Sequence, residues 1–282
     1  MPRLPPSLFW RAHQISPHAP NLLLACRDLP STALELRWIK DHITTTPSTT
    51  TPPFLRLAHL IRLRARGLPL QYVLGTQPFG TLTIRCRRGV LIPRPETESY
   101  TLELADVLFR TPTRSLTVVD LCTGTGCIPL QLFASLRARF PSLAAHGVDV
   151  APGAVALARE NARQLGPLGA AQGVTFHRAS IFSPAAGLPP FPAGEIDLLT
   201  ANPPYISRGA FARSTARSVR NHEPRLALVP DGVPASVVAA LGCEAFPEDV
   251  FYARILELCR GWRPKRVFLE VADGEQAGRV FL

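Results

Sequence analysis

The sequence predicts an α/β protein: a doubly wound, parallel sheet, preceded by a small helical domain and joined to it by a β-hairpin. Three observations carry that reading. From Leu116 onward, short apolar runs alternate with stretches of helical period, the pattern of repeated strand–helix–strand units. A glycine-containing turn, Asp120-Leu121-Cys122-Thr123-Gly124-Thr125-Gly126, separates the first such run from the first helical stretch. Before Tyr72 the apolar spacing is helical on either side of a threonine- and proline-rich loop. The expected organisation is a helical domain over 1–75, a hairpin linker over 76–95 and the sheet domain over 96–282.

Composition narrows the class. A hydrophobic content of 46% with 18% charged residues indicates a folded chain with a substantial core. No apolar run reaches the roughly 18 residues that a membrane helix needs. The formal charge of +10 suits an anionic partner such as RNA or a ribosomal complex. Nearly all of that charge is arginine, with lysine only at Lys40 and Lys265, so genomic base composition explains it as well. Cys26, Cys86, Cys122, Cys127, Cys243 and Cys259 lack paired spacing, which points to free thiols in a reducing compartment and to no zinc site.

The elements follow in order. Arg3 and Arg11, then Arg27, come before the first acidic residue, Asp28, as in a mitochondrial targeting segment. Pro2, Pro5, Pro6, Pro17 and Pro20 weaken any amphipathic helix there. Thr32 and Glu35 have capping-box spacing, and Ala33, Leu34, Leu36, Ile39 and Ile43 suit one apolar helix face. The threonine- and proline-rich stretch 44–53 reads as a loop. A helix over 54–66 carries Arg56, Arg62, Arg64 and Arg66 as a solvated face, and Gly67-Leu68-Pro69 ends it. An alternating strand over 79–84 is expected to pair with 89–92, and a helix to begin near Thr97. Beyond it come strands over 116–121, 145–150, 174–178, 196–201 and 267–271, with helices over 128–139, 152–165 and 250–260.

Chemistry concentrates at strand ends, where open α/β sheets bind ligands. The glycine turn allows close backbone approach, and the helix after it offers unpaired N–H groups. It is neither the G-x-G-x-x-G dinucleotide pattern nor a phosphate loop. Asp149 ends the second strand, where a carboxylate can accept from both ribose hydroxyls; capping the next helix is the plainer role. Asn202-Pro203-Pro204-Tyr205 follows the fourth strand. Its prolines remove two donors, leaving a rigid corner rich in acceptors that suits a planar, neutral NH2 group. Together these features indicate a nucleoside cofactor without pyrophosphate, and S-adenosylmethionine fits best. Glu96 and Glu98 read as helix-terminal charge, and Glu223 as either a loop anchor or a wall of the substrate entrance.

With these residues in view, the chain resembles the glutamine methyltransferases that modify peptide-chain release factors, from about Ala33 to the C-terminus. The resemblance rests on Leu91 to Glu98 (LIPRPETE), DLCTGTG, NPPYIS, Glu223 to Leu228 and Leu269-Glu270-Val271. It implies a methyltransferase sheet whose helical N-terminal domain docks the protein substrate. It also implies cofactor contacts at Cys122, Thr123, Gly124, Thr125, Gly126, Asp149, Ser180, Ile181 and Asn202. The acceptor glutamine is expected to meet Asn202, Pro203, Pro204 and Tyr205, with Tyr205 packing on the flat amide.

Three departures stand out. Cys122 replaces a usual glycine, Ser180 a usual acid, and the sequence is expected to stop shortly after the fifth strand, leaving that strand as an open edge. The implied partner is a release factor, the mitochondrial one, with weak RNA or ribosome proximity, no membrane and a monomeric state. Two alternatives remain: an adenine-amine methyltransferase of DNA or RNA, and a truncated, non-catalytic binding protein.

Overall fold

The computed structural model describes residues 3–166, 173–183 and 187–281. Two compact units divide the chain, Met1–Thr76 with Ala216–His222, and Gln77–Thr215 with Glu223–Leu282.

The first unit is helical: α1 (Pro6–Ile15), α2 (Ala19–Cys26), α3 (Leu29–Thr45), α4 (Pro53–Ala65) and α5 (Leu70–Leu74), with a short helix at Arg217–His222. The expected weakness of the proline-rich start is corrected. Pro6 and Pro20 sit in the first turns of α1 and α2, where a missing N–H costs nothing; Pro2 lies outside the described residues. Ala12, Ala19, Leu22 and Leu23 are fully buried with Ile39 and Ile61 in one core. The capping box is also corrected: Asp28 is the N-cap of α3, accepting from the Ser31 amide at 2.7 Å. Thr32 therefore lies inside the helix, and the buried stripe is Thr32, Leu36, Ile39 and Ile43, with Leu34 44% exposed. Arg64 is not a solvated residue, because both its Nε and Nη2 donate to Glu35, at 2.7 and 2.9 Å.

The second unit opens with a hairpin, β1 (Thr76–Phe79) and β2 (Leu82–Arg85). The single strand expected over 79–84 is thus folded back on itself, and 89–92 is not a strand. Gly80 makes the reversal at φ +57°, and any Cβ there would stand 2.6 Å from the Gln131 side chain, which accepts the Thr81 amide. Then come α6 (Pro95–Phe109), β3 (Ser115–Leu121), α7 (Cys127–Leu136), β4 (Ser142–Asp149), α8 (Pro152–Ala162), β5 (Val174–Arg178), β6 (Leu198–Ala201) and β7 (Val267–Leu269). The sheet order is β5-β4-β3-β6-β7, with every neighbouring pair parallel.

Both faces of the sheet are covered. Val118, Leu132, Phe133 and Phe176 belong to one core, and Val119, Leu121, Leu199, Tyr252 and Ile255 to the other. Such double burial explains why these strands read as continuous apolar runs. The chain winds outward in opposite directions from β3 and β6, so their carboxyl ends mark the topological switch point. β7 lies at one edge of the sheet, and a helix at Gly274–Phe281 follows it.

Candidate active site

One cleft opens beyond those strand ends. Cys122, Thr123, Gly124, Thr125, Asp149, Ser180, Ile181, Asn202 and Pro204 all line it. Gly126, Pro203 and Tyr205 do not. Gly126 faces inward at φ +78°, where a Cβ would meet the Phe176 ring at 2.8 Å; it packs α7 against the sheet. Pro203 is buried. Tyr205 packs against the second core, and its hydroxyl donates to Glu270 Oε1 at 3.2 Å. The aromatic rings that do line the cleft are those of Phe182 and Phe251.

The loop and the acid are coupled. Asp149 Oδ2 accepts the Gly124 amide and Oδ1 the Ala151 amide, both at 2.9 Å, so it fixes the loop and the start of α8 together. Each oxygen keeps a second lone pair for a hydroxyl donor. Burial raises the Asp149 pKa, opposed by these amides. Cys122 holds a left-handed backbone at φ +59°, bearing the Cβ that a glycine would lack. Burial and the neighbouring Asp149 and Asp120 charges push its thiol well up.

Beneath the loop, Asp120 is fully buried; Oδ1 accepts from Thr200 Oγ1 at 2.7 Å. Asp120 Oδ2, Thr123 Oγ1 and Tyr100 Oη are the buried side-chain atoms without a hydrogen-bond partner among the described residues. Burial raises the Asp120 pKa to about 7, with the Thr200 hydroxyl among the groups opposing.

Asn202 is held from behind. Its Nδ2 donates to Glu270 Oε2 at 2.7 Å and to Thr97 Oγ1 at 3.3 Å. Thr97 comes from the LIPRPETE segment, whose Leu91 to Arg94 also line the cleft. Glu223 anchors that segment, and Glu98 accepts the Gly80 amide at 2.8 Å, the structural roles the sequence allowed them. Glu270 and Phe251 were not singled out as site residues; only the Leu269-Glu270-Val271 resemblance hinted at the first.

A parallel-sheet cleft with a ribose-type acid and an NPPY corner is shared by several kinds of methyltransferase, so relatives decide the family. A mitochondrial MRF1 N(5)-glutamine methyltransferase, MTQ1, of Saccharomyces cerevisiae is 33% identical over 286 residues, covering 99% of this chain and 79% of that protein. The chain belongs to the release factor glutamine methyltransferase family. A release factor glutamine methyltransferase of Mycolicibacterium smegmatis is 41% identical over 177 residues, covering 62% of this chain and 56% of that protein. The match to the bacterial member thus spans little more than half of its length. No protein-family model matches. Among solved structures, the hMettl16 catalytic domain in complex with the MAT2A 3′UTR hairpin 6 is 18% identical with a TM-score of 0.49, covering 78% of this chain and 70% of that one. So slight a likeness adds nothing to the sheet order.

S-adenosylmethionine is the family's cofactor, and the residues present fit it. The carboxylate at the end of β4 has acceptor capacity to spare, and the cleft is mostly apolar.

Proposed function

We propose that this chain methylates the side-chain amide nitrogen of the glutamine in the Gly-Gly-Gln segment of a release factor, and that it does so in mitochondria. The observation that carries the reading is that the glycine loop, Asp149 and Asn202 share one cleft. When bound, S-adenosylmethionine supplies an electrophilic methyl group.

Asp149 would accept the ribose hydroxyls, and Cys122 to Thr125, Ser180 and Ile181, which line the same cleft, would enclose the rest of the cofactor. Asn202 has its two amide hydrogens committed to Glu270 and Thr97, so the group it offers the cleft is Oδ1. Pro203, which the sequence offered as a second acceptor, is buried and does not line the cleft. Asn202 Oδ1 would accept one N–H of the acceptor amide. That grip holds the nitrogen, whose lone pair is delocalised into its carbonyl, in a reactive attitude; such orientation contributes several kcal/mol in favourable cases, up to about 7–11 kcal/mol. No base is needed beforehand, because the nitrogen gains positive charge on transfer and sheds its proton afterwards. Tyr205 supports the corner from the core side.

The helical unit is assigned the docking of the protein substrate. The mitochondrial setting draws support from the MTQ1 relative, which is named as mitochondrial.

The test is labelled-methyl transfer to purified release factor, to its Gln→Ala variant and to duplex DNA. Label on the factor alone supports the reading, whereas label on the variant or on DNA overturns it. Asn202→Ala should abolish transfer while cofactor affinity stays within about tenfold, since this side chain serves to hold the nucleophile.

A further inference from the structure

Glu270, the residue after β7, touches three residues of the site yet does not line the cleft. Its Oε2 accepts from Asn202 Nδ2 at 2.7 Å and from Thr97 Oγ1 at 2.8 Å, while Oε1 accepts from Tyr205 Oη at 3.2 Å. The backbone of Glu270 is fixed as well: its amide donates to the Ala201 carbonyl at 3.0 Å, and its carbonyl accepts from Tyr252 Oη at 2.7 Å. The carboxylate is therefore built into the end of the sheet, immediately behind the NPPY corner.

A carboxamide is nearly symmetric in shape but not in chemistry. Turned by half a rotation, Asn202 would present two donors to the cleft and set its oxygen against a carboxylate. Acceptor facing anion is repulsive, and a bond to a charged group is stronger than a neutral one. The Thr97 hydroxyl could donate to the turned amide only by giving up its own bond to Glu270.

We propose that Glu270 is a positioning residue that dictates which end of the Asn202 amide faces the acceptor, and that it steadies the proline corner through Tyr205. The proposal rests on the reading of the acceptor as an amide NH2. Leu269-Glu270-Val271 and Thr97 then work jointly, keeping an acceptor, never a donor, aimed into the cleft.

Two readouts test it. The chain has four asparagines, Asn21, Asn161, Asn202 and Asn221, so asparagine-labelled [15N] protein gives four side-chain NH2 pairs, and Asn202→Asp identifies the one from Asn202. In the wild type that pair should exchange slowly with water. In Glu270→Gln its exchange should accelerate at least about tenfold, since a single amide oxygen cannot serve Asn202, Thr97 and Tyr205 together. An unchanged Asn202 pair overturns the proposal.

The second readout is methyl transfer to release factor. Glu270→Gln should lower kcat by about 30-fold or more, with cofactor Kd and acceptor KM within about threefold. A rise in cofactor Kd or acceptor KM as large as the fall in kcat would overturn the proposal, because a residue that only orients Asn202 should leave both nearly unchanged. Should the Gln variant not fold, Glu270→Asp carries the same two readouts with a displaced Asn202 pair and a smaller loss of rate. If the wild type transfers no methyl to release factor, the glutamine reading fails, while the NH2 spectra still decide the role of Glu270.

Discussion

Glu223 and Arg94 form a buried ion pair that fastens together two walls of the cleft. The Glu223 side chain is 1% exposed; Oε1 accepts from Arg94 Nη2 at 2.9 Å and Oε2 from the Ile92 amide at 3.1 Å. Arg94, Ile92 and the neighbouring Pro224 all face the cavity. Glu223→Ala strips a buried amide and a half-buried guanidinium of their acceptor. Stability should fall by about 1–3 kcal/mol, the usual cost of an orphaned buried donor. Cofactor affinity should fall with it, because a wall of the cleft loosens. Urea denaturation and calorimetry check this; a variant equal to wild type in both would show the pair to be idle.

Asp120 makes the fold sensitive to pH in a direction unusual for a carboxylate. Burial raises its folded pKa from 3.8 to about 7, so the folded protein keeps a proton that the unfolded chain gives up. Stability then falls as pH rises from about 4 to about 7 and levels off above it. Asp120→Asn removes the titration. Relative to wild type, that variant should therefore gain stability from pH 4 to pH 7.5 in thermal melts. A difference independent of pH would refute the assignment.

Cys122 holds a left-handed backbone with a Cβ, which costs about 1–2 kcal/mol relative to glycine. Glycine gives back about 0.5–1 kcal/mol through the greater freedom of its unfolded chain. Cys122→Gly should thus leave stability unchanged or raise it by up to about 1.5 kcal/mol, the difference between those two terms. Destabilisation on chemical denaturation would mean that packing of the thiol outweighs backbone strain.

Leu22, fully buried in α2, tests whether the start of the chain belongs to the folded helical unit. Leu22→Ala should cost about 2–5 kcal/mol of that unit's stability. Hydrogen exchange should then rise across α2 to α4. Unchanged protection there would show the first helices to be dispensable.

The sequence made the sheet legible for a physical reason. Strands buried on both faces, such as β3 and β6, leave unmistakable apolar runs, and the loops at their ends carry residues with specific chemistry. A hairpin was expected within 76–95, but its turn was misplaced, because Phe79 to Ile84 alternates straight through it. What folds it back is Gln131, fifty positions further on. The start of α3 was misplaced although Asp28 followed by a proline in the first turn is a strong signal; Thr32 and Glu35 simply offered a second. Glu270 escaped because its meaning depends on register. Only when Leu269 pairs with Ala201 does the next residue reach Asn202.

The two prolines after Asn202 take two backbone N–H groups out of that turn. A glutamate in place of glutamine would bring negative oxygens against the Asn202 amide oxygen and the Glu270 carboxylate behind it. Such a site rejects its closest isostere by repulsion as much as by missing contacts. A release factor that had suffered deamidation at this glutamine would thus leave unmarked, and the methyl group would double as a certificate that the carboxamide was intact.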